Sequence, residues 1–346
     1  MKILLATDAW TPQVNGVVRT LTEVIRELGA MGHRVNAVHP GLFRSIPCPF
    51  YPEIRLALGV RRRIGNIIEA FVPDAIHIAT EGPIGLAARR WCLAHGHGFT
   101  TAFHTRFPEY LADRRLAPPW LTYALLRRFH APATAIMVPS ASMRHELAAR
   151  GFARLSAWGR GVDPVLFNPE LRGNPLGLPR PIFLSVGRVA PEKNLPAFLS
   201  LDLPGSKVVA GGGPSLPALQ RQFPQAHFLG RRSNGELAAL YASADVFVFP
   251  SRTDTFGLVL LEALASGLPV AAYPAPGPLD VVADSGAGVL DENLRRAALA
   301  ALTIPWERCR AHALNFTWRA SAAQFLQNLS SCREVPAGYH RSASPA

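Results

Sequence analysis

The chain has 346 residues, 49% of them hydrophobic, and its 36 basic and 24 acidic residues give a net charge of +12. This length predicts two domains, and the composition excludes a disordered chain. No apolar run approaches the ~18 residues needed to cross a bilayer. The N-terminus reaches Asp8 after a short apolar run, which predicts a buried strand rather than a signal peptide. Four cysteines without a CxxC pair fit a reducing cytoplasm.

The first half of the chain alternates strand and helix patterns. Short apolar runs predict strands at 2–7, 34–38, 74–79, 99–103 and 135–138, and apolar residues at helical spacing predict helices at 16–28 and 84–95. Such a β-α-β series predicts a parallel sheet covered on both faces.

The segment from residue 168 to residue 175 is rich in Asn, Pro and Gly, which predicts a linker. The pattern then restarts, with strands predicted at 182–186, 208–210, 227–229, 246–250 and 270–273 and helices at 237–243 and 256–265. We therefore predict two α/β domains, residues 1–170 and 171–329. A C-terminal helix that crosses back to the first domain is compatible with this division, and residues 330–346 are expected to form a flexible tail.

Two loops that follow strands have residues suited to phosphate. Gly16 opens a helix, so it offers free N–H groups without a Cβ in the way. An ordinary βα turn is the alternative, since the GxGxxG fingerprint is absent. Gly187 ends another strand, and Arg188 and Lys193 stand five residues apart beyond it, which suits a diphosphate. Two solvated surface charges are the alternative there.

A third loop carries a pair of carboxylates. Asp254 precedes a predicted helix, and Glu262 follows eight residues later between apolar neighbours. A carboxylate in such surroundings is costly unless it is paired or liganded. The alternative is that Asp254 caps the helix and that Glu262 is an ion-pair partner in the core.

Together these motifs resemble the retaining glycosyltransferases of the GT4 type. Asp254-x7-Glu262 is similar to their E-x7-E motif, residues 187–194 are similar to G-R-x-x-x-E-K, and Asn15-Gly16 is similar to their glycine loop. Segments 80–83 and 104–110 resemble a subgroup with bacterial glycolipid synthases, among them glycosyl- and sulfoquinovosyl-diacylglycerol synthases, and lipid mannosyltransferases. The resemblance runs from Met1 to about Leu329. Asp254 departs from the family's glutamate by one methylene.

The resemblance implies a GT-B fold, in which two Rossmann-like parallel-sheet domains enclose an active site in the cleft between them. Arg188 and Lys193 would neutralise the departing diphosphate, Glu262 would bind the ribose, and Asp254 would bind sugar hydroxyls or stabilise charge at the anomeric carbon. The implied catalytic residues are His104, Asp254, Arg188 and Lys193. The implied donor-binding residues are Gly16, Gly187, Arg188, Lys193, Arg231, Phe256, Gly257, Leu258 and Glu262.

Neither a metal nor a cofactor is expected. No D-x-D motif occurs in the chain, and the two cations would replace the divalent ion of the other main glycosyltransferase fold. The resemblance implies retention of configuration, with attack on the face from which the diphosphate leaves and with the phosphate as base.

Basic residues are concentrated in the first half, where 21 bases and 12 acids in residues 1–172 give a net charge of +9. Residues 106–131 combine arginines with aromatic side chains, as an anionic bilayer surface would favour. The predicted acceptor or membrane residues are Arg114, Arg115, Trp120, Tyr123, Arg127 and Arg128. The alternative is a core helix with solvated arginines.

We therefore predict a hexosyltransferase (EC 2.4.1 type) that moves a sugar from a nucleotide-diphosphate donor, with a UDP-sugar favoured, to a lipid such as diacylglycerol. It would be a cytoplasmic enzyme, peripheral on the inner face of the cytoplasmic membrane. One alternative is a GDP-mannose-dependent α-mannosyltransferase with a phosphatidylinositol-type or saccharide acceptor. The others are α/β proteins that bind nucleotides without transfer, or nucleic acid. The last lacks an RNP motif and zinc-finger spacing, so we expect no nucleic-acid partner.

Overall fold

The computed structural model describes residues 1–13, 15–48, 51–113, 115–173 and 176–329. The chain divides into two compact units, one formed by residues 1–159 with 319–329, the other by residues 160–318. Each unit contains one six-stranded parallel sheet, which confirms the prediction of two parallel α/β domains. The predicted tail at 330–346 lies outside the described residues.

The first unit is built on a sheet with the strand order β2-β1-β5-β6-β7-β8. Its strands are β1 (Lys2–Ala6), β2 (Arg34–Val38), β3 (Ser45–Cys48), β4 (Tyr51–Ala57), β5 (Ala75–Ile78), β6 (Thr100–Ala102), β7 (Ile136–Val138) and β8 (Leu155–Ala157). Its helices are α1 (Gly16–Ala30), α2 (Val60–Phe71), α3 (Pro83–His95), α4 (Phe107–Asp113), α5 (Pro119–His130) and α6 (Ala141–Ala149). Strands β3 and β4 form a separate antiparallel hairpin that the sequence analysis did not predict.

The second unit repeats the plan with the strand order β11-β10-β9-β12-β13-β14. Its strands are β9 (Ile182–Val186), β10 (Ser206–Ala210), β11 (His227–Gly230), β12 (Val246–Phe249), β13 (Val270–Ala272) and β14 (Gly288–Leu290). Its helices are α7 (Leu195–Leu199), α8 (Leu216–Gln222), α9 (Asn234–Ser243), α10 (Leu258–Ala265), α11 (Pro276–Val282), α12 (Leu294–Ala301) and α13 (Trp306–Ala313).

Local chemistry explains why the first helix forms where it does. The Asn15 side chain accepts a hydrogen bond from the Val18 amide at 3.0 Å, which caps α1. The buried face of α1 includes Val18, Leu21, Val24 and Leu28, at the spacing that predicted it.

The chain passes from the first unit to the second between Gly159 and Arg160, before the predicted linker. Residues 160–173 belong to the second unit because their backbone is bonded there. The Val162 amide donates to the Phe316 carbonyl at 3.1 Å, and Arg310 donates to the Phe167 carbonyl at 2.6 Å. The Asn and Pro residues of the predicted linker form a 3₁₀ turn, Pro169–Leu171.

The last helix, α14 (Trp318–Asn328), returns the chain to the first unit. Its Phe325 ring contacts the rings of His77 and Trp158, with centroids 4.9 and 5.0 Å apart. The face of the sheet on which His77 lies is therefore covered by the end of the chain.

The strand orders fix where each sheet opens for a ligand. Strand order reverses between β1 and β5 in the first unit and between β9 and β12 in the second. Open parallel sheets bind ligands outside the carboxyl ends of the strands at such a reversal. Two edges are therefore candidates, one in each unit.

Candidate active site

The reversal in the second unit brings together three of the predicted residues. Gly187 directly follows β9 with a φ of 150°. A pocket at this edge is lined by Gly187, Arg188 and Lys193 from one side and by Pro250 and Ser251, after β12, from the other. Two side chains with cationic groups thus line the pocket at the carboxyl end of the sheet.

Side chains tie the two loops of this pocket to each other. Ser251 Oγ and Thr253 Oγ1 both donate to the Glu192 carbonyl, at 3.2 and 3.3 Å. The Asn194 side chain donates to the Pro250 carbonyl at 3.2 Å. The backbone around Lys193 is therefore held against the loop that leads to Asp254.

Lys193 and Asp254 form an ion pair between Nζ and Oδ1. Both side chains are largely shielded, with 24% and 14% of their surface exposed. The other oxygen, Asp254 Oδ2, is buried and has no hydrogen-bond partner among the described residues. Asp254 does not cap α10, because the cap position belongs to Gly257.

The start of α10 differs from the prediction by two residues. Gly257 has a φ of 84°, a left-handed conformation that favours glycine, and the helix begins at Leu258 rather than at Phe256. Gly277 approaches this turn so closely that a Cβ there would lie 2.8 Å from the Phe256 carbonyl oxygen. The first amides of α10 have no intrahelical acceptor, so this turn is suited to anions.

Glu262 lies inside the core, with only 4% of its surface exposed. Tyr241 Oη donates to its Oε2 at 3.0 Å. This contact meets part of the cost of burying the carboxylate, as the core-partner alternative requires. The contact with a donor ribose stays a prediction.

A run of three glycines, Gly211–Gly213, also shapes this edge, and the sequence analysis did not use it. A Cβ on Gly211 would overlap the Gly187 carbonyl oxygen, so only glycine permits the two loops to approach. The Arg231 side chain lies directly against Gly212, with Cγ 3.0 Å from the position of a Cβ. Three consecutive glycines after a strand were the available signal.

The reversal in the first unit is occupied by a carboxylate of the protein. Asp8 follows β1 and is 6% exposed. It accepts from the Ile84 amide at 2.9 Å, from the Gly85 amide at 3.3 Å and from Thr80 Oγ1 at 2.9 Å. A Cβ on Gly82 would overlap the Asp8 carboxylate, which explains the glycine in segment 80–83. The anion position at the start of α3 is thus filled, and burial raises the Asp8 pKa.

The remaining predicted residues of the first unit lie at other strand ends. His104 follows β6, is half-buried, and meets the Trp158 ring edge-on at 5.4 Å. Gly16 is exposed at the first position of α1. Parallel strands present their carboxyl ends on one edge, so both residues lie on the same edge of this sheet.

The predicted membrane residues have different environments. Trp120 and Leu125 on α5 are 72% and 61% exposed, and the flanking Arg115, Arg127 and Arg128 are exposed. Arg114 lies outside the described residues.

Tyr123 is a correction to the predicted surface set. It is only 4% exposed, and its hydroxyl donates to Glu109 Oε1 at 2.8 Å. The predicted stripe of Leu121, Leu125 and Phe129 also divides, because Phe129 is buried and both leucines are exposed. Residues four apart drift by about 40° on a helix, so eight residues turn from the surface into the core.

Two searches of the described residues bear on the surroundings of the site. In that part of the chain, no helix is both long and apolar enough for a bilayer crossing. Nor do its His, Cys, Asp and Glu side chains form a group of three or more that could hold a metal ion.

Comparisons with known families cover both units. Residues 14–166 match the family described as Glycosyltransferase Family 4, and residues 170–321 match the family described as Glycosyl transferases group 1.

Three curated relatives cover most of the chain. The sulfoquinovosyl transferase SQD2 of Arabidopsis thaliana is 34% identical over 80% of this chain, which spans 60% of that relative's length. A GDP-mannose-dependent alpha-mannosyltransferase of Mycolicibacterium smegmatis is 33% identical over 84% of each chain. An alpha-monoglucosyldiacylglycerol synthase of Streptococcus pneumoniae is 29% identical over 87% of this chain and 78% of its own.

Solved structures share the fold at lower identity. A sucrose-phosphate synthase from Thermosynechococcus elongatus has a TM-score of 0.76 and 20% identity over 94% of this chain and 97% of its own. HepE of Anabaena, solved with UDP and glucose, has a TM-score of 0.71 and 16% identity over 94% and 98%. By the matched families and by the mannosyltransferase relative, this chain belongs to the family 4 glycosyltransferases, which are enzymes of the GT-B fold.

Proposed function

We propose that the protein transfers a hexosyl group, with retention of configuration, from a nucleoside diphosphate sugar to a hydroxyl of a membrane lipid such as diacylglycerol. A UDP-sugar is the favoured donor, and the enzyme would act on the cytoplasmic face of an anionic membrane. The observation that carries the donor assignment is the pocket at the β9 edge, into which Arg188 and Lys193 bring two cationic side chains.

The proposed chemistry follows from the charge that develops on the leaving diphosphate. The bond between the anomeric carbon and the phosphate oxygen breaks, and the acceptor oxygen bonds to that carbon on the same face. The departing phosphate oxygen takes the acceptor proton. Arg188 and Lys193 stabilise the negative charge on the diphosphate, and His104 contacts the transferred sugar.

The lipid acceptor is supported by the charge of one helical layer. One hydrophobic cluster joins the sheet of the first unit to α2, α3, α5 and α6, which form this layer. These four helices carry eight arginines and two glutamates, a net charge of +6. Residues 106–115, around α4, add three arginines and two acids.

The opposite face of the sheet provides the contrast. The β1–β2 connection runs against the other crossovers, so α1 covers the other face. Helix α1 carries two arginines and two glutamates and is neutral. The positive charge of this unit is therefore directed to one side.

Exposed apolar side chains accompany the arginines on the helical layer. Trp120, Leu121 and Leu125 are exposed on α5, and Leu86 is exposed on α3. Arg89 ties these two helices together by donating to the Phe129 carbonyl at 2.7 Å. Apolar and aromatic side chains among cations suit the interface of an anionic bilayer, so we assign a membrane to this surface.

A mannosyl donor is the second candidate. The Mycolicibacterium relative, at 33% identity, is named as GDP-mannose-dependent, so a GDP-mannose-dependent transfer to a phosphatidylinositol-type or saccharide acceptor remains an alternative.

The test is a transfer assay that crosses donors with acceptors. UDP-glucose, UDP-galactose and GDP-mannose would each be offered with diacylglycerol in anionic vesicles and with soluble saccharides. Product from a UDP-sugar and diacylglycerol, with the donor's anomeric configuration, supports the proposal. Efficient transfer to soluble saccharides, with none to lipid, contradicts the acceptor assignment, and product only from GDP-mannose selects the alternative.

A further inference from the structure

We propose that Asp254 and a bound diphosphate exchange Lys193 between them, so that diphosphate binding releases the Asp254 carboxylate to accept hydrogen bonds from the donor sugar. This inference rests on the proposed function, because it describes how the donor site would load. Asp254 would then be a residue that couples the two halves of the donor.

The first step of the argument is the ion pair itself. Lys193 Nζ contacts Asp254 Oδ1 beside the pocket that Arg188 and Lys193 line. The pair is shielded from solvent on both sides, so its charges are screened less than those of a surface pair. A diphosphate in this pocket competes with Asp254 for the same ammonium group.

The second step concerns the other oxygen of the same carboxylate. Asp254 Oδ2 is buried and finds no hydrogen-bond partner in the described part of the chain. Buried carboxylate oxygens are ordinarily satisfied, and an exception calls for a functional explanation. A hydroxyl of the transferred sugar would supply the missing donor.

The third step is that only side chains need to move. The hydrogen bonds from Ser251, Thr253 and Asn194 hold the two loops together. Lys193 carries a compact ammonium on a flexible stem, which can turn from one anion to another. An arginine would grip the carboxylate with a planar fork and would exchange poorly.

The experiment measures binding of UDP and GDP, and of UDP-glucose and GDP-mannose, by titration calorimetry on the full chain. Asp254→Asn should bind the better nucleoside diphosphate about tenfold more tightly, because one like charge beside the diphosphate is removed. The extra affinity that the sugar contributes should fall at the same time. Glu307→Gln, which removes an exposed carboxylate on α13, is the matched control and should change neither value.

Lys193→Arg distinguishes exchange from simple repulsion, because it keeps the charge. We expect it to weaken nucleoside diphosphate binding about tenfold by locking the pair, and we expect the double variant Lys193→Arg, Asp254→Asn to restore it. Wild-type affinity in Lys193→Arg, or no restoration in the double variant, overturns the exchange. Unchanged or weaker binding by Asp254→Asn also overturns it.

Two further results are assigned in advance. If Asp254→Asn does not fold, Asp254→Ala is measured in its place with the same expectations. A wild-type protein that binds neither UDP nor GDP and transfers no sugar refutes the proposed function and the inference together. A wild-type protein that binds and transfers while the variants behave as simple charge deletions refutes the inference alone.

Discussion

Replacement of Arg127 and Arg128 by glutamine should release the protein from anionic membranes without affecting donor binding. Both side chains are exposed on α5, which belongs to the helical layer with a net charge of +6. Each base near an anionic surface contributes on the order of 1 kcal/mol. Loss of both therefore lowers the vesicle partition coefficient about 30-fold at low salt.

The measurement is co-sedimentation with vesicles of rising anionic lipid content. Wild-type binding should weaken steeply as salt rises, because the Debye length falls from about 10 Å at 0.1 M to about 3 Å at 1 M. The matched control is Arg221→Gln with Arg319→Gln, which removes the same charge from exposed positions outside the layer. Arg127 also donates to the Arg150 carbonyl at 2.9 Å, so thermal unfolding is recorded for each variant.

Equal vesicle binding by the Arg127 and Arg128 variant and by wild type would refute the assignment of this layer to the membrane. Equal losses in the variant and in the control would mean that only the total charge matters. Binding to neutral vesicles as strong as binding to anionic ones would remove the electrostatic argument altogether.

Three further predictions follow from the site and the fold. Lys193→Ala and Arg188→Ala should each lower kcat/KM about 100-fold, as for removal of a group that stabilises transition-state charge; full activity in either would place the diphosphate elsewhere. Gly82→Ala should lower the free energy of unfolding, because its Cβ overlaps the Asp8 carboxylate, whereas Gly29→Ala, in open space within α1, should raise it by up to about 1 kcal/mol in urea titrations; equal effects would contradict the packing argument. Burial raises the pKa of Asp8, so its contribution to the free energy of unfolding declines as pH rises above its unfolded-state pKa of about 4; Asp8→Asn should remove this dependence, and identical pH profiles for variant and wild type would exclude it.

The sequence predicted the sheets well because parallel strands buried on both faces are continuous apolar runs. In β1, every residue after Lys2 is buried. The β3–β4 hairpin was missed for the converse reason. Residues 45–57 alternate with prolines and a register shift at Pro47 and Cys48, and they build a satellite sheet without a buried apolar run.

The site was predictable where it is built from consecutive residues. Gly187, Arg188 and Lys193 lie on one loop after one strand, so their proximity follows from local sequence. The contacts of Asp254 with Lys193 and of Glu262 with Tyr241 join residues far apart in the chain. Such pairings depend on the order of the strands, which one sequence does not give.

The two units show how one fold can be given two electrostatic roles. At the reversal of the first sheet, the amides at the start of α3 are occupied by Asp8, so an anion placed there would face a carboxylate that already holds those donors. At the reversal of the second sheet, the equivalent strand end is followed by Gly187 and by the cation Arg188. Backbone geometry alone would let either edge bind phosphate. The sign of one residue after the strand therefore directs the diphosphate to the second unit.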